Sequence, residues 1–337
     1  MARRPWLMIG MALGQAVAAL GQPFHLPTPN QTIFEPGNEA DYFTPTVGRT
    51  WPSGTFGCVR SGGWQMHEGL DIKCAQRDAK GEPTDPVSAA ADGTIVYINT
   101  KAGLSNYGKY IVMQHEIDGL DVYTLYAHLR KIEDGLQVGH AKKTGEIIAT
   151  LGRTSNTSQG ISRERAHLHF EICLLANPGF PAWQKKNHPG QRNDHGNWNG
   201  QNLLGIDPWK LFLEQRDAWA KRRPFSLREF IRQQPVLCRV LVQSKTFRWA
   251  KRHPSLVDSP TTPNNFAGYV ISLDPNGIPI RCTPRGEEAF SDNKPVKLLD
   301  VDAKIYSEAP CRKWIFKKGQ TWQITAKGLA HLNLLSH

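Results

Sequence analysis

Between Phe56 and Ile172 the chain breaks into short β-like runs, "GTIVYI", "YIVMQHE", "DVYTLYAHL", "EIIATLG" and "HLHFEICL". Turn residues separate them at intervals of roughly 8–20, and no helical period appears, a pattern that predicts an antiparallel sheet or barrel core. Side chains alternate between the faces of a strand. In the last run Ala166, Leu168, Phe170 and Ile172 therefore line one face, and His167, His169 and Glu171 the other. Two imidazoles on one strand face suit either a solvated edge or half of a metal site.

The remaining ligands stand in "HEGLDI". His67 and Asp71 are four apart, which predicts one strand face for both, with Gly69 leaving room between them. With His169 they form two imidazoles and one carboxylate, the ligand set of a catalytic zinc with a fourth position open to water. A lone His-x-x-x-Asp is also a common solvated surface pair, so the weight rests on joint occurrence.

Several motifs occur together and in order. "FGCVR" at Phe56–Arg60 precedes "HEGLDI"; "PVSAAADGTIVYI", "NYGKYIVMQHE", "YTLYAHL", "TGEIIATLGRTS" and "AHLHFEI" follow. This succession resembles the lysostaphin/LytM-type zinc endopeptidases over about residues 50–175, with "DPW" at 207–209 a weaker echo. The resemblance implies a mainly β fold around a small antiparallel sheet groove, with Zn2+ held by His67, Asp71 and His169. It also implies that His128 and His167 are the two further catalytic histidines.

The chemistry agrees with those roles. Zinc on two neutral imidazoles and a carboxylate makes water a usable nucleophile near neutral pH and polarises a carbonyl. No His-Glu-x-x-His motif supplies a glutamate base, so a histidine must move the proton. Either His128 or His167 can do so, the other stabilising the oxyanion or protonating the leaving amine. Glu171 is at most a partner of a ligand, while Arg60 and Asn106 are candidate substrate contacts by motif position alone. His115 is expected to be structural. His140, His188, His195, His253, His331 and His337 are expected to be solvated.

The flanks set the context. Arg3 and Arg4 precede an apolar run and small residues at Ala19 and Gly21, so residues 1–21 read as a cleaved signal peptide. No later stretch is apolar enough to cross a bilayer, so no transmembrane anchor is expected after cleavage. Export to a periplasmic or extracellular compartment suits the six cysteines, Cys58, Cys74, Cys173, Cys238, Cys282 and Cys311. Residues 22–55 read as an extended leader, 56–206 as the peptidase domain, with 176–205 a long loop, and 207–234 as a helical segment. Asp207 caps the first helix there and Ser226 with Glu229 the second. Residues 235–337 read as a small β-rich C-terminal module, with a hairpin turn at Asp274–Gly277 and one internal disulfide.

Within the net charge of +11, this last segment carries 15 Lys and Arg against 8 Asp and Glu. The excess favours an anionic wall polymer, and "KTFRWAKRHP" is a candidate strand or loop for it. An exported chain seldom meets nucleic acid, and none is expected as a partner. The expected activity is cleavage of cross-link or stem peptides of peptidoglycan. A secreted protease acting on proteins and a non-catalytic binding or activator module are the alternatives.

Overall fold

The alternating runs pair as antiparallel strands in the computed structural model, which describes residues 23–157, 160–258, 262–291 and 294–337. The expected signal peptide lies outside the described residues. Strands β1 (Gly57–Arg60) and β2 (Gln65–His67) form a small hairpin ahead of β3 (Leu70–Lys73). A seven-stranded sheet then contains β4 (Gly93–Asn99), β5 (Tyr110–Ile117), β6 (Leu120–Ala127), β7 (His167–Leu175) and β8 (Leu203–Ile206). Its order is β8, β7, β6, β5, β4, then the short strand Ala141–Lys142; β3 joins through β7.

Strand β7 is the axis of the sheet. It is buried at every position, pairs with β6 on one side, and on the other with β3 and then β8. Its Leu168, Phe170 and Ile172 face the main core with Leu70, Ile72, Ile111, Met113 and Tyr126. Full burial on both faces is the reason its polar side chains must find partners rather than water.

The "HEGLDI" stretch is not one strand as its spacing predicts. It breaks at Glu68–Gly69 between β2 and β3. A Cβ on Gly69 would meet the Phe170 carbonyl oxygen at 2.2 Å, so only glycine lets the chain pass β7 here.

Residues 23–55 are not a loose leader. They contain short helical turns at Thr32–Phe34, Glu39–Tyr42 and Trp51–Gly54, and bury Phe24, Tyr42 and Phe43 completely. The Thr44 amide donates to the Asp71 carbonyl at 2.8 Å, fastening this segment along β3. Residues 176–205 likewise hold a helix, Phe180–Asn187, where the sequence reads as loop.

Helices α1 (Pro208–Ala220) and α2 (Leu227–Arg232) start at the expected caps. Asp207 accepts from the Trp209 and Lys210 amides, and Ser226 from the Glu229 amide. A four-stranded sheet follows from β9 (Cys238–Val242), β10 (Phe266–Leu273), β11 (Pro279–Gly286) and β12 (Val296–Val301). The expected turn joins β10 to β11, with Asp274 Oδ1 accepting from the Ile278 amide at 2.7 Å. The C-terminal segment is less purely β than the sequence suggests. "KTFRWAKRHP" contains the helix Arg248–Arg252 with Trp249 fully buried, and the chain closes on helix α3 (Ala326–Ser336).

No disulfide lies inside this segment among the described residues; Cys311 instead bridges to Cys58, and Cys74, Cys173, Cys238 and Cys282 are free and buried. No helix of the described residues is long and apolar enough to cross a membrane.

Candidate metal centre

Asp71 of β3, His169 of β7 and Ala127 of β6 stand in one row across three strands. Directly opposed residues share a face, so the small Ala127 leaves room beside His169 for the histidine that follows it, His128. His67 enters from the end of β2. Potential ligand atoms of His67, Asp71 and His169 all lie within 4.8 Å of one another. His67 Nε2, Asp71 Oδ1 and His169 Nδ1 form a triangle with sides of 3.1 Å.

Hydrogen bonds outside the triangle set the tautomers. His67 Nδ1 donates to the Thr55 carbonyl at 2.7 Å, and His169 Nε2 donates to Glu171 Oε1 at 2.8 Å. The nitrogens turned inward are therefore bare in the neutral rings. Two lone pairs and a carboxylate oxygen facing each other repel unless a cation sits between them. One ion at about 2.0–2.2 Å from each atom suits a triangle of this size, so the donor set fits zinc. Arg60 reaches two of the same side chains, its Nη2 lying 2.9 Å from His67 Nε2 and 2.5 Å from the other Asp71 oxygen, Oδ2.

Electrostatics follow from the enclosure. Burial acts to raise the Asp71 carboxyl, but the His167 and His67 rings and hydrogen bonds from His169 and His67 outweigh it, holding it well below the usual range. Burial also opposes the charge on His169, yet hydrogen bonds to Asp71 and Glu171 carry its ring up to about 9. A proton fills the place of a cation there.

His128 and His167 stand beside the triangle, their rings 4.8 Å apart. Each donates Nδ1–H to a backbone carbonyl, His128 to Thr154 at 2.8 Å and His167 to Arg165 at 2.6 Å. Each Nε2 is thereby free to accept a proton. Burial, then neighbouring histidines, push His128 well below its ordinary value; burial likewise lowers His167. Both rings are neutral near pH 7. His128 also holds φ at +62°, a conformation non-glycine residues rarely adopt and one that clusters at functional sites.

Glu171 is fully buried and orients His169, and Tyr107 completes the support by donating its hydroxyl to Glu171 Oε1 at 2.6 Å. Tyr107 stands in the motif "NYGKYIVMQHE", but its support of Glu171 is not legible there, since it sits in a turn whose path back to β7 only the fold reveals. The centre opens into a cavity of about 570 Å³ lined also by Thr46, Val47, Asn106 and Arg165. His115 is structural as expected, buried between the Asp92 carbonyl and Thr124 Oγ1. His195, His253 and His331 are buried rather than solvated, each against an aromatic ring.

The model of Peptidase family M23 matches residues 65–180, the stretch that holds all five of these residues. Over this segment the chain is similar to that family. No curated protein matches the chain. Among solved structures, the catalytic domain of the antimicrobial peptidase lysostaphin from Staphylococcus simulans is 26% identical, over 39% of this chain and 75% of that one, with a TM-score of 0.25. LytU is 29% identical over 35% and 69%, with a TM-score of 0.26. A zinc-containing peptidase from Vibrio cholerae is 24% identical, with a TM-score of 0.24; the match covers 40% of this chain and only 30% of that one. The antiparallel sheet of this segment is the architecture the lysostaphin/LytM resemblance implies, and within it lies a His/Asp/His cluster that could hold a metal ion.

Proposed function

We propose that the protein is an exported zinc endopeptidase that hydrolyses amide bonds in the peptides of peptidoglycan. The observation that carries this reading is the 3.1 Å triangle of His67, Asp71 and His169, with two neutral histidines beside it.

His67, Asp71 and His169 are the residues that would hold the ion. Zinc supplies there a Lewis acid that polarises the scissile carbonyl and lowers the pKa of water. The Nε2 atoms of His128 and His167 are the proton acceptors within reach of the site. One takes the proton of the attacking water; the leaving amine receives a proton from the same pair. Their Nδ1–H bonds to Thr154 and Arg165 keep both rings aimed while this happens. Glu171 and the Thr55 carbonyl do the same for His169 and His67. Residues 235–337 are a β-rich segment whose cationic surface meets the anionic polymers of the wall.

The test is zinc content together with mass spectrometry of the fragments released from purified sacculi. Muropeptides cut at peptide bonds, released in proportion to bound zinc, are the expected result. A zinc-loaded protein that releases none but cleaves protein substrates would replace this reading.

A further inference from the structure

A second cavity of about 740 Å³ continues from the metal centre, and Gln65, Met66, Glu68, Asn106 and Tyr107 line both. Its size suits a peptide end or side chain. Its far wall comes from outside the family segment, from Arg312, Lys313 and Lys327.

The charge of this wall is not balanced from within. Arg192 pairs with Asp194 at 2.7 Å, and Arg312 with Glu68 at 3.3 Å. Lys313 and Lys327 also line the cavity, and among the described residues its acids are only Asp194 and Glu68, both already paired.

The local conformation adds to the cost. Lys327 stands in the first turn of α3, where the helix dipole disfavours a cation. Lys327 and Lys313 are exposed to the cavity; desolvation, then Arg312 and Lys313, lower the Lys327 ammonium against an opposing pull from Glu68, and its Nζ lies 5.1 Å over the Trp314 ring. Lys313 holds φ at +57°, unusual for a side chain of its kind. Cations gathered against helix and backbone preference mark a place kept for a ligand rather than for stability. The bridge from Cys311 to Cys58 ties this wall to β1, whose Arg60 reaches Asp71.

We propose that this cavity is an anion-accepting subsite of the groove, in which Lys313 and Lys327, with Arg312 behind them, receive a free carboxylate of the peptide being cleaved. The inference rests on the peptidase reading for its substrate. A peptide carboxylate is favoured over a phosphate polymer because the cavity is continuous with the metal centre, so the chain that enters one enters the other.

The experiment uses the full zinc-loaded protein and two series of short glycine–alanine peptides, carrying glutamate or glutamine at either end. In one series the central amide is replaced by an inert reduced bond, so that binding is measured calorimetrically without turnover. The expected result is about tenfold or more tighter binding of one glutamate peptide than its glutamine twin, as a charge-assisted contact provides. The Lys313→Gln/Lys327→Gln variant should bring that ratio close to one, and Lys313→Arg/Lys327→Arg should restore it. In the cleavable series the same ratio appears in KM rather than kcat. Equal binding of both peptides overturns the proposal, as does a preference that survives the glutamine variant. Tight binding of poly(glycerol phosphate) without a glutamate preference transfers the wall to a polymer and overturns it too. Failure to cleave these peptides leaves the peptidase reading to the sacculus assay, while the inert series still decides the subsite.

Discussion

Asp71 stands directly opposite His169 in the register of β3 and β7, its Oδ1 3.1 Å from His169 Nδ1. This cross-strand pairing joins two candidate ligands 98 residues apart in sequence. It predicts a division of labour among the histidines. His169→Ala should lose both zinc and activity. His128→Ala and His167→Ala should keep zinc and lose turnover by about 10²–10⁴, the contribution of a proton-transfer group. Zinc stoichiometry by elemental analysis, measured beside turnover, checks this. Equal zinc loss from His128→Ala and His169→Ala would sink the assignment.

Glu171 accepts from both His169 Nε2 and Tyr107 Oη, so its effect on the metal passes through the orientation of one ring. Glu171→Gln should weaken zinc binding about 10–100-fold, as removal of such outer partners does. Tyr107→Phe should cost less, because the carboxylate still holds the ring. Competition against a chromogenic chelator measures both. An unchanged affinity in Glu171→Gln would show that burial of the imidazole alone suffices.

Zinc must displace the proton that the cluster holds. His169 is raised to about 9, so below that pH the metal-free site is protonated and binding releases a proton. Apparent affinity should rise with pH, by up to about tenfold per pH unit, and flatten near pH 9. Glu171→Gln removes one cause of the raised value, so its plateau should begin at lower pH. Chelator competition between pH 6 and 10 reads the slope; a flat profile would count against the proton.

Much of this centre was legible in advance because it depends on short-range alternation. The faces of "HLHFEI" and the order of the motifs point to the same five residues that the sheet gathers. The path of the chain between them was not legible. The break at Glu68–Gly69 comes from the close passage of Phe170, a contact 101 positions away. The role of Tyr107 was hidden for the same reason, its contact with Glu171 spanning 64 positions. The buried ring of His331 reads as a polar residue, since nothing local announces Trp314 packed against it, while His253 packs on Trp249 four positions back only because that stretch is a helix rather than the expected strand or loop. Cys58–Cys311 spans 253 positions, beyond any spacing rule.

Asp274 opens the turn between β10 and β11, and burial raises its carboxyl to about 7. The folded state therefore prefers the neutral acid. Above its unfolded value the native form binds the extra proton, so stability falls as pH rises from about 4 to about 7 and then levels. The whole effect is of order 4 kcal/mol at most. Asp274→Asn keeps an acceptor for the Ile278 amide without a charge to bury. It should be the more stable protein at pH 8 and lose that advantage near pH 4. Denaturant titrations at the two pH values test this, and an equal difference at both would exclude ionisation as the cause.

The bridge between Cys58 and Cys311 joins β1, next to the metal centre, to the segment that carries Arg312 and Lys313. Further contacts cross the same boundary. Asn276 donates to the Gly205 carbonyl at 2.7 Å, and Trp183 Nε1 to Asn333 at 2.8 Å. Residues 235–337 are thus fastened covalently and by packing, and the crosslink closes a very long loop in the unfolded chain. Its removal in Cys58→Ser/Cys311→Ser should cost about 2–5 kcal/mol and lower Tm. The remaining cysteines are buried and free, and burial raises the thiols of Cys74, Cys238 and Cys282, so they should resist alkylation in the native protein. Mild reduction should therefore expose two labelled positions by mass spectrometry, Cys58 and Cys311, together with the same fall in Tm. A reduced protein with unchanged Tm would mean that packing alone holds the segment. Labelling of Cys238 or Cys282 at the same rate would mean that the segment opens as soon as the bridge is cut.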